Sequence, residues 1–133
     1  MVGEDAQGKF RLSRVSKARL GTCHPLLVDL VEEALATSPL DFTVLCGYRG
    51  KDEQDLAVAQ GNSKVKWPNS KHNSLPSRAV DLAPYPVDWD DLGRFRQLAT
   101  HVMMTAQRME IGLRWGGNFR FVDMPHFELQ DIH

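Results

Sequence analysis

Apolar residues recur along this chain with two different periods, and the switching between them predicts its elements. The opening is mixed polar and basic, with Leu12, Val15 and Leu20 as its regular apolar points, and reads as a short helix or an extended arm. His24-Pro25 then begins a helix. Proline suits the first helical position, where its missing N–H leaves nothing unsatisfied. Leu26, Leu27, Leu30, Val31, Ala34 and Leu35 follow at helical spacing. Pro39 disfavours helix in the residue before it and stops the run near Thr37-Ser38. Phe42-Thr43-Val44-Leu45-Cys46 is short, apolar and rich in branched or aromatic side chains, the pattern of a buried strand. Gly47-Tyr48-Arg49-Gly50 turns away from it. Asp52 to Gln60 is a short helix with acids in its first turn and Gly61 at its end.

A polar loop over 62–69 carries Trp67, which has little core to enter there and is expected to form groove wall. Arg78 to Ala83 alternates as a strand does, and Pro84-Tyr85-Pro86 ends it. Asp88, Asp90 and Asp91 are N-cap candidates for the longest helix, about 90 to 110. Its apolar stripe is Leu92, Phe95, Leu98, Ala99, Val102, Met103, Ala106 and Met109, with Gly112 as the expected terminator. Leu113 to Trp115 is a short strand, 116–118 a turn, and His126 to Leu129 the last strand. Some strands follow a helix and others follow a turn. That order predicts an α+β fold, a small antiparallel sheet packed against helices. With 133 residues and no repeat or linker, the chain reads as a single domain, 1–133.

Composition narrows the function classes. A formal net charge of -1 argues against a general nucleic-acid binder, which would show a basic face. Lys64, Lys66, Lys71 and Arg78 are either a locally basic rim or scattered charges on a solvated loop. No apolar run approaches the ~20 residues of a membrane span. Met1 to Ala6 shows no secretory pattern, so the chain is expected to be made in the cytoplasm and delivered by something else to any outside substrate. The two cysteines are too few for a disulfide framework. Cys46 reads as a small buried hydrophobe, and a Cys23–Cys46 bridge stays open.

The candidate chemistry lies in two stretches, Ser70-Lys71-His72 through Arg78-Ala79-Val80-Asp81-Leu82, and Asp123-Met124-Pro125-His126-Phe127-Glu128. Of the five histidines, His24, His101 and His133 read as structural or surface residues. His72 and His126 differ, because each has polar company at the edge of a predicted strand. Asp81 lies inside a strand pattern, where aspartate is depleted and costly to bury unpaired. A metal ion or a basic partner would remove that cost, and the residues alone leave metal, hydrogen-bonding and surface roles open. Glu128, two residues beyond His126, shares its face of the strand; it orients His126 or pairs with a basic side chain.

The combination Ser70-x-His72, Ala79-x-Asp81 and Asp123-x-x-His126 resembles the LAS metallopeptidases. These are the VanY-type D-alanyl-D-alanine carboxypeptidases, the VanX dipeptidases and, above all, small phage endolysins that cut the L-alanyl-D-glutamate bond of peptidoglycan. The likeness covers most of the chain, including His24-Pro25-Leu26-Leu27, Gly47-Tyr48-Arg49, Gln54, Gly61-x-Ser63 and Leu113-Arg114-Trp115-Gly116-Gly117-Asn118-Phe119. It implies a hedgehog/D-Ala-D-Ala-peptidase-like fold and a Zn2+ ion held by His72, Asp81 and His126. Asp123 would then act as acid and base, Arg49 would steady the developing oxyanion, and Ser70 would sit beside the first ligand. Trp115 and Phe119 would line the substrate groove or belong to the core.

Two departures stand out. The histidine and aspartate of the first motif are further apart than usual, so a bulged loop over 73–80 is expected. Asp123 also stands where many relatives have glutamate. The resemblance implies an enzyme acting on peptidoglycan stem peptides; with the charge, the hydropathy and the missing secretory pattern, the expectation is a monomer with no nucleic-acid or membrane partner, released to the wall by a holin. The alternatives are a D-alanyl-D-alanine carboxypeptidase or dipeptidase, and a zinc-stabilised wall-binding module without catalysis.

Overall fold

The computed structural model describes residues 10–131. The start of the expected N-terminal arm, the residues read for a secretory signal, and His133 lie outside the described residues. The elements are α1 (Arg14–Leu20), α2 (Pro25–Thr37), β1 (Phe42–Cys46), α3 (Lys51–Ala59), β2 (Ala79–Pro84), α4 (Leu92–Arg108), β3 (Leu113–Trp115) and β4 (His126–Leu129). Two short 3-10 turns, Lys71–Asn73 and Gly116–Asn118, complete them. The strands form one antiparallel sheet in the order β1-β2-β4-β3, so the α+β expectation holds.

Register divides the sheet into two faces of different chemistry. Val44 lies opposite Leu82, Val80 opposite Phe127, and Leu113 opposite Leu129. These side chains join Leu27, Leu30, Val31 and Ala34 of α2 and Leu98, Ala99, Val102 and Ala106 of α4 in one core. Each fully buried leucine or phenylalanine there contributes roughly 1.5–3 kcal/mol. Because strand side chains alternate, the residues between them face the other way. On that second face Asp81 lies opposite His126, and Ala79 opposite Glu128. A bulge between Val44 and Cys46 sets Cys46, rather than Leu45, opposite Asp81.

The exposed side of β1 is covered by α1. The Ser16 hydroxyl accepts the Val44 N–H at 3.1 Å, and the Arg19 guanidinium donates to the Val44 carbonyl at 3.1 Å. This contact blunts an otherwise open sheet edge. His24 caps α2, its Nδ1 accepting the Leu26 N–H, and His101 donates from α4 to the Ala34 carbonyl. Both are structural, as the sequence predicts. Asp91 is the N-cap of α4. The helix ends earlier than the apolar stripe implied, because Glu110 takes φ 59 before Gly112 is reached. A left-handed residue stops the helical hydrogen bonding whatever its side chain. Both cysteines are free thiols. Among the described residues, no helix is long and apolar enough to cross a membrane.

Candidate active site

Three chain segments meet on the second face of the sheet. β2 supplies Asp81 and β4 supplies His126 as its direct cross-strand neighbour. The third segment is the 3-10 turn Lys71–Asn73, which presents His72. That turn is built by a reciprocal cap, in which the Ser70 hydroxyl accepts the His72 N–H at 3.2 Å and the Asn73 side-chain oxygen accepts the Ser70 N–H at 3.0 Å. The longer loop expected before β2 is pinned rather than free. Ser77 donates its N–H to the Thr22 carbonyl and accepts the His24 N–H on its own.

The result is a compact triangle. His72 Nε2 lies 3.1 Å from Asp81 Oδ1 and 3.2 Å from His126 Nδ1, and His126 Nδ1 lies 3.3 Å from the same Asp81 oxygen. The far nitrogen of each ring is already engaged. His72 Nδ1 donates to the Gly47 carbonyl at 2.7 Å, and His126 Nε2 donates to Glu128 Oε1 at 2.8 Å. Those acceptors fix the tautomers. In the neutral rings, Nε2 of His72 and Nδ1 of His126 are therefore lone pairs aimed at each other and at a carboxylate. Three acceptors that close need a proton or a cation among them.

Electrostatics carry the same message. Burial works to lower the His72 pKa, but the Asp81 carboxylate outweighs it and pushes the value up to about 10. Burial would raise Asp81, yet His72 and His126 hold it far below the ordinary carboxylate range. His126 is also raised, with Asp81 and Glu128 overcoming its burial. Glu128 is lowered, because His126, Lys71 and Arg114 outweigh the burial that opposes them. Cys46, His72 and Asp81 form a group that could hold a metal ion. Cys46 Sγ, however, lies 3.9 Å from the Nδ1 side of His72, the side bonded to Gly47, whereas His126 and Asp81 share the Nε2 side.

Asp123 stands at the edge of this triangle, its Oδ2 3.9 Å from His126 Nδ1. Burial and repulsion from Asp81 raise its pKa, against the pull of His126, His72 and Arg49. Its position is fixed by backbone. The Asp123 N–H donates to the Gly116 carbonyl at 2.9 Å. A Cβ on Gly116 would collide with the Asp123 carbonyl, so only glycine allows this approach. Trp115 holds the same loop from the other side, donating its indole N–H to the Met124 carbonyl at 2.7 Å and packing on the core.

These groups open onto a cleft of about 280 Å³ lined by Arg49, Ser63, Lys64, Val65, Asn69, Ser70, Lys71, Phe119, Phe121, Asp123, His126 and Glu128. Arg49 enters it from the turn after β1. Its backbone N–H donates to the His72 carbonyl at 2.8 Å, and its Nε donates to Gln54 Oε1 at 2.8 Å. Of the three aromatics expected at the groove, Phe119 lines the cleft, whereas Trp115 is not among its lining residues and packs on the core. Trp67 lies elsewhere, in a shallow depression with Lys51, Asp55, Val58 and Lys66. Gln54 and Gly47 were not legible as parts of the site from spacing. Both stand in the sequence only among the residues that carry the family resemblance.

The sheet thus gives one face to the core and gathers imidazoles and carboxylates on the other, beside a cleft. The chain compares with known proteins accordingly. Residues 8–130 match the family described as phage L-alanyl-D-glutamate peptidase. The L-alanyl-D-glutamate peptidase of Escherichia phage T5 is 31% identical over 124 residues, covering 91% of this chain and 90% of that protein. The crystal structure of the Serratia marcescens L-Ala D-Glu endopeptidase ChiX superposes with a TM-score of 0.79 and 32% identity, over 95% of this chain and 93% of that one. This chain belongs to the phage L-alanyl-D-glutamate peptidase family.

Proposed function

We propose that the chain is a zinc-dependent endopeptidase that hydrolyses the L-alanyl-D-glutamate bond of peptidoglycan stem peptides and so degrades the host wall for lysis. The observation that carries this reading is the donor triangle of His72, Asp81 and His126, with edges of 3.1 to 3.3 Å, beside the carboxylate of Asp123. Zinc bound to nitrogen or oxygen at roughly 2.0–2.1 Å in tetrahedral geometry spaces its ligands by about 3.3–3.4 Å. The triangle comes within a few tenths of an ångström of that spacing, and its lone pairs are the donor set such an ion takes. Three protein ligands leave a fourth position for chemistry.

His72, Asp81 and His126 would hold the ion. The Gly47 carbonyl and Glu128 orient the two rings through their far nitrogens, the usual support for histidine ligands. Zinc in this place would acidify water toward a pKa of about 7 and polarise a carbonyl group. The rest falls to the chain's own residues. Asp123 Oδ2 takes a proton from the attacking water and returns it to the leaving amine nitrogen. Its raised pKa brings its basicity closer to the working pH than an exposed aspartate would allow. Arg49, anchored through Gln54, turns its charge to the carbonyl oxygen as negative charge develops there. Ser70 keeps the His72 turn in place, and Trp115 keeps the Asp123 loop in place. In this reading 1–133 is one catalytic domain that works as a monomer. It is made in the host cytoplasm and reaches the wall after holin-mediated release.

Mass analysis of fragments released from permeabilised cells, with and without chelator, tests the proposal. The expected products carry a new N-terminal glutamate and disappear with chelator. Loss of a terminal alanine instead would make the chain a carboxypeptidase, and activity indifferent to chelator would remove the metal. Asp123→Ala should retain zinc and lose turnover; near-normal activity in that variant would remove Asp123 as the base.

A further inference from the structure

Three cations line the cleft, Arg49, Lys64 and Lys71, and they are engaged differently. Lys71 donates to the Leu129 carbonyl and pairs with Glu128 and Asp131. The Arg49 Nε is held by Gln54. Lys64 forms no ion pair among the described residues; its ammonium instead rests over the Phe121 ring, 5.1 Å from the centroid. Both residues line the cleft, Lys64 between Ser63 and Val65 and Phe121 two residues ahead of Asp123. An exposed contact of this kind is weak, so the ammonium exchanges the ring for a carboxylate readily. The backbone beneath it is firm, because Gln54 Nε2 donates to Ser63 Oγ and to the Val65 carbonyl on either side of Lys64.

The substrate supplies a matching anion. This step rests on the L-alanyl-D-glutamate reading above. Glutamate has two carboxyl groups, and only one can continue the peptide. Whichever does so, the other remains free and sits within a few bonds of the amide being cut. We propose that Lys64 binds this free carboxylate of the D-glutamyl residue and makes the enzyme discriminate between stem peptides in which that group is ionised and those in which it is amidated. A charge-assisted bond to carboxylate is about twice as strong as a neutral one, which gives the ammonium a reason to leave Phe121 when substrate enters.

The test uses two synthetic peptides that differ only in whether the free D-glutamyl carboxyl is ionised or amidated, with kcat and KM measured for each. The wild-type enzyme should prefer the ionised peptide. In Lys64→Gln the ratio of kcat/KM values for the two peptides should fall by roughly tenfold or more, chiefly through KM, and Lys64→Arg should keep most of it. A wild-type enzyme without preference, or an unchanged ratio in Lys64→Gln, overturns the role of Lys64 while leaving the peptidase reading intact. Cleavage of neither peptide by the wild-type enzyme overturns that reading and this inference with it.

Discussion

Replacing Gln54 should damage both the stability and the turnover of this protein, in amounts that its four hydrogen bonds allow to be worked out. The side chain is at 0% exposure. Its Oε1 accepts from Arg49 Nε at 2.8 Å and Asn73 Nδ2 at 3.1 Å, and its Nε2 donates to Ser63 Oγ at 3.0 Å and to the Val65 carbonyl. In Gln54→Leu two of these groups keep other partners: Asn73 Nδ2 still donates to the Arg49 carbonyl, and the Val65 carbonyl still accepts from Ser63. The uncompensated losses are the Arg49 Nε bond and the tie to the 63–65 loop. Both bonds are only part-buried, so each loss falls in the lower part of the usual range, roughly 1–2 kcal/mol, and the cost is roughly 2–4 kcal/mol. For a domain of this size that lowers Tm by roughly 7–14 °C. Complete loss of a charge-stabilising group costs roughly 10²–10³ in turnover, so an Arg49 that is only unanchored should cost roughly 10–10². Gln54→Glu gives an internal control. It keeps the acceptor for Arg49 and Asn73 but sets a carboxylate against the Val65 carbonyl, so it should lose stability comparably while retaining more of kcat. Thermal unfolding and peptide kinetics on both variants decide the matter. Wild-type Tm and kcat in Gln54→Leu, or equal kcat losses in the two variants, would refute the claim that this amide positions Arg49.

Three further outcomes follow from the same geometry. Glu128→Ala removes the acceptor that orients His126, and zinc affinity measured by chelator competition should fall roughly 10–100-fold; unchanged affinity would show that the carboxylate only pairs with Lys71 and Arg114. In the metal-free protein His72 is pushed above its ordinary value of 6.5 to about 10, so it is protonated at neutral pH and its pairing contributes stability that is complete below 6.5 and lost as pH rises toward 10. Zinc must displace that proton, so calorimetry in buffers of different ionisation heat should detect proton release and an affinity that climbs with pH; binding without release would contradict the assigned charge state. Burial, the neighbouring Cys46 and Asp81 push the Cys23 thiol from 9.0 up to about 12, so it should resist alkylation at pH 8 in the folded protein and react after denaturation. Since the unfolded thiol ionises first, Cys23 should also withdraw stability between pH 9 and 12, and rapid native-state labelling would refute its placement.

How much of this was legible in the sequence depends on distance along the chain. α2, β1, β2 and α4 are written in local periodicity, and the structure keeps them nearly as spaced. The end of α4 was misplaced because a left-handed conformation at Glu110, an ordinary residue, leaves no local sign. Asp81 stood out for a sound reason, since an acid within an apolar strand needs a partner. Spacing alone does not name that partner and only the resemblance does, because His72 and His126 are 54 residues apart and meet only when strand register is set. Gln54 carries part of the family resemblance, but its role is not readable from spacing, because its four partners come from three separate segments.

Register also explains why core and site cannot be separated. The pairing that buries Val80 against Phe127 is the pairing that sets Asp81 against His126, one residue further along β2 and one residue back along β4. A slip of one residue would turn the apolar side chains of β2 out of the core in the same movement that broke the donor triangle. The apolar face supplies kilocalories and the polar face needs tenths of an ångström, and alternation couples the two. A loop-built triangle of buried, mutually facing lone pairs would relax apart. Here the two donors on the sheet are held by burial of their immediate neighbours, and the third, His72, is held against them by the Gly47 carbonyl at the end of β1. Glycine at 47 is required there, since a Cβ would strike the Arg19 carbonyl and the Thr22 hydroxyl. The hydrophobic pattern that specifies the fold is thus also what keeps three electron-rich atoms close enough to need a cation.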